Sequence, residues 1–222
     1  MKTLLVSLLL AVCASFSFAQ SSPPTPMHIA LMFDDGPTAE HLEKYLALFK
    51  TENVHVTFSF VAKNVEAQPA LAHAAISAGH EVTNHSFEHK HPKDLSPAEL
   101  RHEVIGALEV FERVTNKRPT WYWPPYIEIT PELEAIVAKT SMKLYRPAHL
   151  VGSSDYDMSV TAEQIRIRSL DGVKDGSLIL FHEWRNESLE QMPAILAELK
   201  KRGAVFMTIS ELTNYLGTVN SK

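Results

Sequence analysis

The sequence predicts one α/β domain in which parallel strands alternate with helical crossovers, as an open sheet or a barrel. Three observations lead there. About seven strand-then-helix units follow one another without a visible internal repeat. Once an N-terminal targeting segment is set aside, about 200 residues remain, enough for a single domain with a substantial core. The residues able to do chemistry fall at the carboxyl ends of the expected strands, the rim where such folds place their sites.

Residues 1–19 read as a signal peptide. Lys2 is a short positive region, residues 4–12 are an apolar core, and Ser17-Phe18-Ala19 offers small residues at both cleavage-defining positions. Cleavage after Ala19 is favoured over a lipoprotein cut before Cys13, because Val12 is bulky. The apolar stretch falls short of the ~20 residues that span a bilayer. Residues 20–26 form a polar, Pro-rich leader, residues 27–216 the domain and residues 217–222 a tail.

Within the domain, residues 27–33 form the first expected strand. Leu42, Tyr45, Leu46 and Phe49 give residues 39–50 a helical spacing. Residues 54–61 are a β-branched and aromatic strand, 69–78 a helix ended by Gly79, and 81–84 a short strand. The longest helix, 97–115, has Ser96 at its N-cap and Pro97 at its first position. A strand over 120–123 stops at Pro124-Pro125, and Thr130 caps a helix over 131–139. Residues 143–151 are a strand region interrupted by Pro147. A helix over 162–170, a strand over 177–181, a helix over 189–202 ended by Gly203, a strand over 205–208 and a short helix over 210–216 complete the chain.

The formal net charge is −5, and the signal peptide would remove only Lys2 of the charged residues. A mildly acidic chain argues against nucleic acid as a partner and leaves neutral or cationic polymers open. Cys13 is the only cysteine. The mature domain would therefore use no disulfide, which suits a bacterial periplasm or cell exterior.

Phe33-Asp34-Asp35-Gly36-Pro37 ends the first apolar run with two adjacent carboxylates. Their mutual repulsion calls for an offset, and a divalent cation is the common one. A turn in which the acids merely cap the next helix is the other reading. Asn84-His85-Ser86-Phe87-Glu88-His89 supplies two imidazoles four residues apart, which one helical turn would present to a single metal ion. With a strand-end carboxylate they make a two-His, one-acid set with open positions for water and substrate.

These segments, followed by Pro124-Pro125-Tyr126 and Leu178-Ile179-Leu180-Phe181-His182, resemble the ordered motifs of carbohydrate esterase family 4, the polysaccharide deacetylases. The resemblance covers roughly residues 27–216. It implies a distorted (β/α) barrel of about seven strands and metal-dependent hydrolysis of acetyl groups on a glycan. The expected substrate contains N-acetylglucosamine, as peptidoglycan, a chitin-like polymer or an exopolysaccharide. Asp35, His85 and His89 would hold one divalent metal, zinc by preference, with cobalt or nickel also accepted. Asp34 would be the general base and His182 the general acid, with Asp157 supporting His182. Tyr126 N–H would stabilise the oxyanion beside Pro125, and Leu180 would line the pocket for the acetyl methyl.

Two departures stand out. Trp123 occupies the position of an arginine that holds the base, so Arg146 or Arg185 is expected to reach Asp34 instead. Met158, rather than tryptophan, follows Asp157. Trp121 is expected in the core, leaving Trp123, Tyr126, Tyr156 and Trp184 for sugar stacking. A glycan-binding protein that has lost catalysis, and a deacetylase of a non-sugar amide, are the competing readings.

Overall fold

A computed structural model describes residues 25–219; the signal segment, most of the leader and the last residues of the tail lie outside the described residues. The chain runs β1 (Met27–Gly36), α1 (Leu42–Glu52), β2 (Thr57–Phe60), α2 (Ala62–Ala67), α3 (Pro69–Ser77) and β3 (Glu81–Asn84). It continues with α4 (Pro97–Arg101), α5 (Ala107–Thr115), β4 (Trp121–Tyr122), α6 (Pro131–Val137), β5 (Lys143–Leu144) and β6 (His149–Gly152). It ends with α7 (Ala162–Leu170), β7 (Ser177–His182), α8 (Asn186–Lys201), β8 (Ala204–Met207) and α9 (Ile209–Val219).

Seven strands pair in the order β5-β4-β3-β2-β1-β7-β6, and β8 joins the first half of β1. Every pairing is parallel, as the helical crossovers require. The result is the curled, distorted barrel expected from the motifs. Pro147 divides the region 143–151 into two strands that do not pair. β5 joins β4 while β6 joins β7, so the sheet opens between them.

Side-chain parity along β1 explains the layers. Ile29, Leu31 and Phe33 face outward into a cluster with Leu42, Tyr45 and Phe49 of α1 and Met192, Ile195 and Leu199 of α8. Phe33 stacks on Phe181 at 5.4 Å and meets Tyr45 at 4.8 Å. Burying such a ring contributes about 1.5–3 kcal/mol. Ala30 and Met32 face the other way, into an interior cluster with Trp121, Trp123, Leu178, Leu180, Ile209 and Leu212. A strand's side chains alternate, so Asp34, and His182 beyond Leu178 and Leu180, inherit that interior face. Trp121 is a core residue as expected, its indole N–H donating to Ser210 Oγ at 2.9 Å.

Several elements carry the signals read from the sequence. Ser96 and Glu99 form a capping box at α4, and Thr130 accepts from Leu133 N–H at the start of α6. The expected long helix is continuous over 97–115 but contains a π-helical turn, His102–Gly106, between α4 and α5. Helix α2 was not expected; six residues are too few to show a helical period. Among the described residues no helix is long and apolar enough to cross a membrane.

Candidate active site

The site sits at the carboxyl ends of β1, β3, β4 and β7. Strict alternation would turn Asp35 out of the barrel after Asp34. Instead the register against β2 shifts between Asp34 and Gly36, and Asp35 takes φ 74°. This bulge lets two successive carboxylates serve one site. Asn64 Nδ2 holds the Asp35 carbonyl at 2.8 Å. Strand β1 runs through Gly36, three residues past its expected end. A Cβ on Gly36 would lie 1.8 Å from Glu183 Oε2, so that position has no room for a side chain.

Asp34 is 3% exposed, and its Oδ2 accepts the indole N–H of Trp123 at 2.8 Å. Its Oδ1 is buried and accepts no hydrogen bond. Burial pushes the carboxyl up to about 6, against the opposing pull of His85 and His182. The expected arginine substitute is absent here. Arg146 pairs with Glu134 on the surface, and buried Arg185 pairs with Glu187 and donates to the Val160 carbonyl. A neutral indole takes the arginine's place because Trp123, on the interior face, is already aimed at Asp34.

Asp35, His85 and His89 present one donor atom each, all within 4.8 Å of one another. Asp35 Oδ1 lies 3.5 Å from His85 Nε2 and 3.1 Å from His89 Nε2. It is buried without a hydrogen bond, while Oδ2 accepts from Trp184 Nε1 at 2.8 Å. Burial works against ionising Asp35, but the histidines outweigh it and hold the carboxyl well below its usual range. His85 Nδ1–H donates to the Trp123 carbonyl at 2.7 Å, which turns Nε2 toward the carboxylates; burial opposes charge on the ring, but Asp34 and Asp35 outweigh it and raise its pKa. Burial and His85 together depress His89 to about 4, so it stays neutral. Two imidazole nitrogens and an ionised carboxylate with an orphaned oxygen fit a first-row divalent ion.

The two histidines do not meet on a helical turn. Residues 85–89 form a tight loop with Ser86 at φ 68° and His89 at φ 61°. Asn84 Oδ1 accepts Ser86 N–H, and Ser86 Oγ accepts His89 N–H, both at 2.9 Å. Glu103, from the π-helical turn, accepts the N–H groups of Phe87 and Glu88.

His182 ends β7 directly beside Asp34 in the strand register. Its partner is Asp155, not Asp157. Asp155 is fully buried, its Oδ1 accepting His182 Nδ1–H at 2.7 Å and its Oδ2 accepting His182 N–H at 2.8 Å and Ser188 Oγ–H at 2.6 Å. Asp157 faces solvent and caps Ser159. Burial disfavours charge on His182, but Asp155 overrides it and the ring's pKa rises to about 9. Tyr156, not Met158, therefore follows the supporting acid, and its ring centroid lies 6.0 Å from that of His182.

Pro125 is buried in the short turn Pro125–Ile127, with Tyr126 at φ 57°. The Tyr126 ring is half exposed, stacked on His91 and 4.7 Å from His89. Leu180 lies on the interior face with Trp123. Trp184 donates its indole N–H to Asp35 Oδ2 at 2.8 Å. Of the eight described non-glycine residues at positive φ, Asp35, Ser86, His89, Tyr126, Ile127 and Ser154 lie around this rim. Such strain collects where a fold holds a site in shape.

Sequence reasoning missed Glu103, Asp155 and Glu183. Buried Glu183, its carboxyl pushed up to about 7 by burial, accepts Thr38 N–H and Oγ–H at 2.7 and 2.8 Å and so pins the turn after the paired acids. The Asp in Ser154-Asp155-Tyr156-Asp157 that faces inward depends on loop geometry, which carries no periodic signal.

Comparison with known proteins agrees with this fold. The polysaccharide deacetylase family model matches residues 21–145. Peptidoglycan-N-acetylglucosamine deacetylase of Bacillus cereus is 28% identical over 201 residues, 89% of this chain and 72% of that protein. A bifunctional xylanase/deacetylase of Pseudobutyrivibrio xylanivorans is 28% identical over 85% of this chain, which spans only 31% of that longer protein. The structure of peptidoglycan deacetylase PdaC from Bacillus subtilis superposes with a TM-score of 0.81 at 26% identity, covering 90% of this chain and 96% of that one. A family 4 acetyl xylan esterase from Clostridium thermocellum, in complex with a cobalt ion, gives 0.76 at 28% identity, covering 86% and 92%. The chain belongs to the polysaccharide deacetylase family, the family 4 carbohydrate esterases.

Proposed function

We propose that this enzyme is an exported, metal-dependent deacetylase that hydrolyses the acetyl group of an N-acetylglucosamine-containing glycan. The observation that carries the reading is the convergence, on one face of the barrel, of a base, an acid and a three-donor cluster. When bound at Asp35, His85 and His89, a divalent cation, zinc by preference, supplies the charge that acidifies water and polarises the acetyl carbonyl. Asp34, held by Trp123, offers its free Oδ1 to take the proton of the attacking water. The Tyr126 N–H is the donor assigned to the oxyanion. His182, kept protonated by Asp155, gives its Nε2 proton to the departing amine. Leu180 packs the acetyl methyl.

The preference for N-acetylglucosamine is supported by the Bacillus cereus relative's name. Export, to the periplasm or the cell exterior, is supported by the signal pattern of residues 1–19. The Trp123–Asp34 and Asp155–His182 hydrogen bonds support a working enzyme over a binding protein. An acetate-release screen over acetylated chitooligosaccharides, peptidoglycan and xylan, with and without chelator, tests the reading. Release that needs metal and disappears in Asp34→Asn supports it. Purified protein that holds zinc and releases no acetate from any of these overturns it in favour of binding.

A further inference from the structure

The loop that carries both histidines is held from behind by one buried acid. Glu103 is 2% exposed, and among the described residues its one ion pair is a long one, Lys90 Nζ at 3.9 Å from Oε1. Its Oε2 instead accepts two successive backbone N–H groups, Phe87 at 2.9 Å and Glu88 at 2.8 Å. Those are residues within the five-residue loop from His85 to His89. A buried carboxylate is costly unless such donors meet it.

Its placement depends on an irregularity in the helix. The π-helical turn His102–Gly106 interrupts the α-helical run over 97–115, and within it Glu103 and Val104 are both buried. A single π turn adds a residue and rotates the side chains that follow, and such turns are frequent at functional sites. The same turn touches the other end of the loop, where the Val104 carbonyl accepts from Asn84 Nδ2 at 3.3 Å. Asn84 in turn holds Ser86 N–H. The loop's positive-φ residues, Ser86 and His89, are not glycines, so the loop needs outside support to keep its shape.

We propose that Glu103 is a positioning residue for the metal centre, setting the spacing of His85 and His89 through the backbone between them. The proposal rests on the metal reading of Asp35, His85 and His89. It is tested by zinc affinity, measured by competition with a chromogenic chelator on the full folded chain, together with the visible spectrum of the cobalt form. Glu103→Gln keeps an acceptor oxygen and is expected to bind zinc close to wild type. Glu103→Ala is expected to weaken binding about tenfold or more and to alter the cobalt spectrum. Glu103→Asp, which keeps the charge but withdraws the oxygens by one methylene, is expected to weaken it likewise and serves if the alanine variant does not fold. Wild-type affinity and spectrum in folded Glu103→Asp or Glu103→Ala overturn the proposal alone. Wild-type protein that binds no zinc overturns the metal reading beneath it.

Discussion

His85 and His182 flank β1 on either side, and both use Nδ1–H as a donor over 2.7 Å. Their partners differ. The Trp123 carbonyl can only accept, so it fixes one tautomer of His85 and leaves Nε2 as a lone pair. The Asp155 carboxylate adds a negative charge behind the ring, so His182 keeps both protons up to about pH 9. Burial opposes charge on His85 too, but Asp34 and Asp35 in front of its Nε2 outweigh it and raise its pKa, so a proton and a metal ion compete for that nitrogen. A negative field in front of the lone pair attracts a cation of any kind; one behind the ring retains a proton. The group on the far nitrogen decides whether a histidine is a ligand or an acid.

Removing each ring in turn separates the two roles. His85→Gln is expected to lose both zinc and acetate release. His182→Gln is expected to keep its zinc, by elemental analysis, while kcat falls about 10²–10⁴-fold. If both variants lose zinc, the two roles are not distinct. Next in size is Asp155→Asn, for which kcat should fall about a hundredfold at neutral pH. A general acid works only when protonated, so activity is lost as pH rises through its pKa. In the wild type that limb lies near pH 9, and without the carboxylate it should move down toward the ordinary histidine value of about 6.5. An unmoved limb would remove Asp155 from its role.

Trp123→Phe keeps an aromatic ring and deletes the N–H. One hydrogen bond to a buried carboxylate is worth about 1.5–3 kcal/mol, so kcat should drop about ten- to a hundredfold with KM little changed. A rise in KM at constant kcat would make Trp123 a sugar contact instead. Asp157→Asn should change kcat by less than about twofold, the range of a surface substitution. A larger loss would return Asp157 to the site.

The sheet was legible in the sequence because its strands are short apolar runs between clear stops: Gly36-Pro37, Pro124-Pro125 and Pro147 all mark real boundaries. The donor cluster was legible because Asp35, His85 and His89 are unusual residues at strand ends. What stayed hidden was support arriving from elsewhere in the chain. Glu103 looks like any helix-surface acid until a π turn rotates it inward. Trp123 reads as a lost arginine until the interior cluster, just past β4, shows where its indole points. Asp155 and Asp157 are two residues apart in an aperiodic loop, and only the fold tells them apart.

Strand β1 lies against β2 on one side and receives β7 and β8 from the far end of the chain, with Asp34 in register with His182. That makes the order of synthesis matter. The paired acids and both histidines of the donor cluster leave the ribosome early, but their central strand has a bare edge until residues 177–207 arrive. Contacts of such long sequence separation form late in folding. A chain cut before Ser177 would therefore carry every donor of the cluster and still lack the strand that holds Asp34 and Asp35 in place.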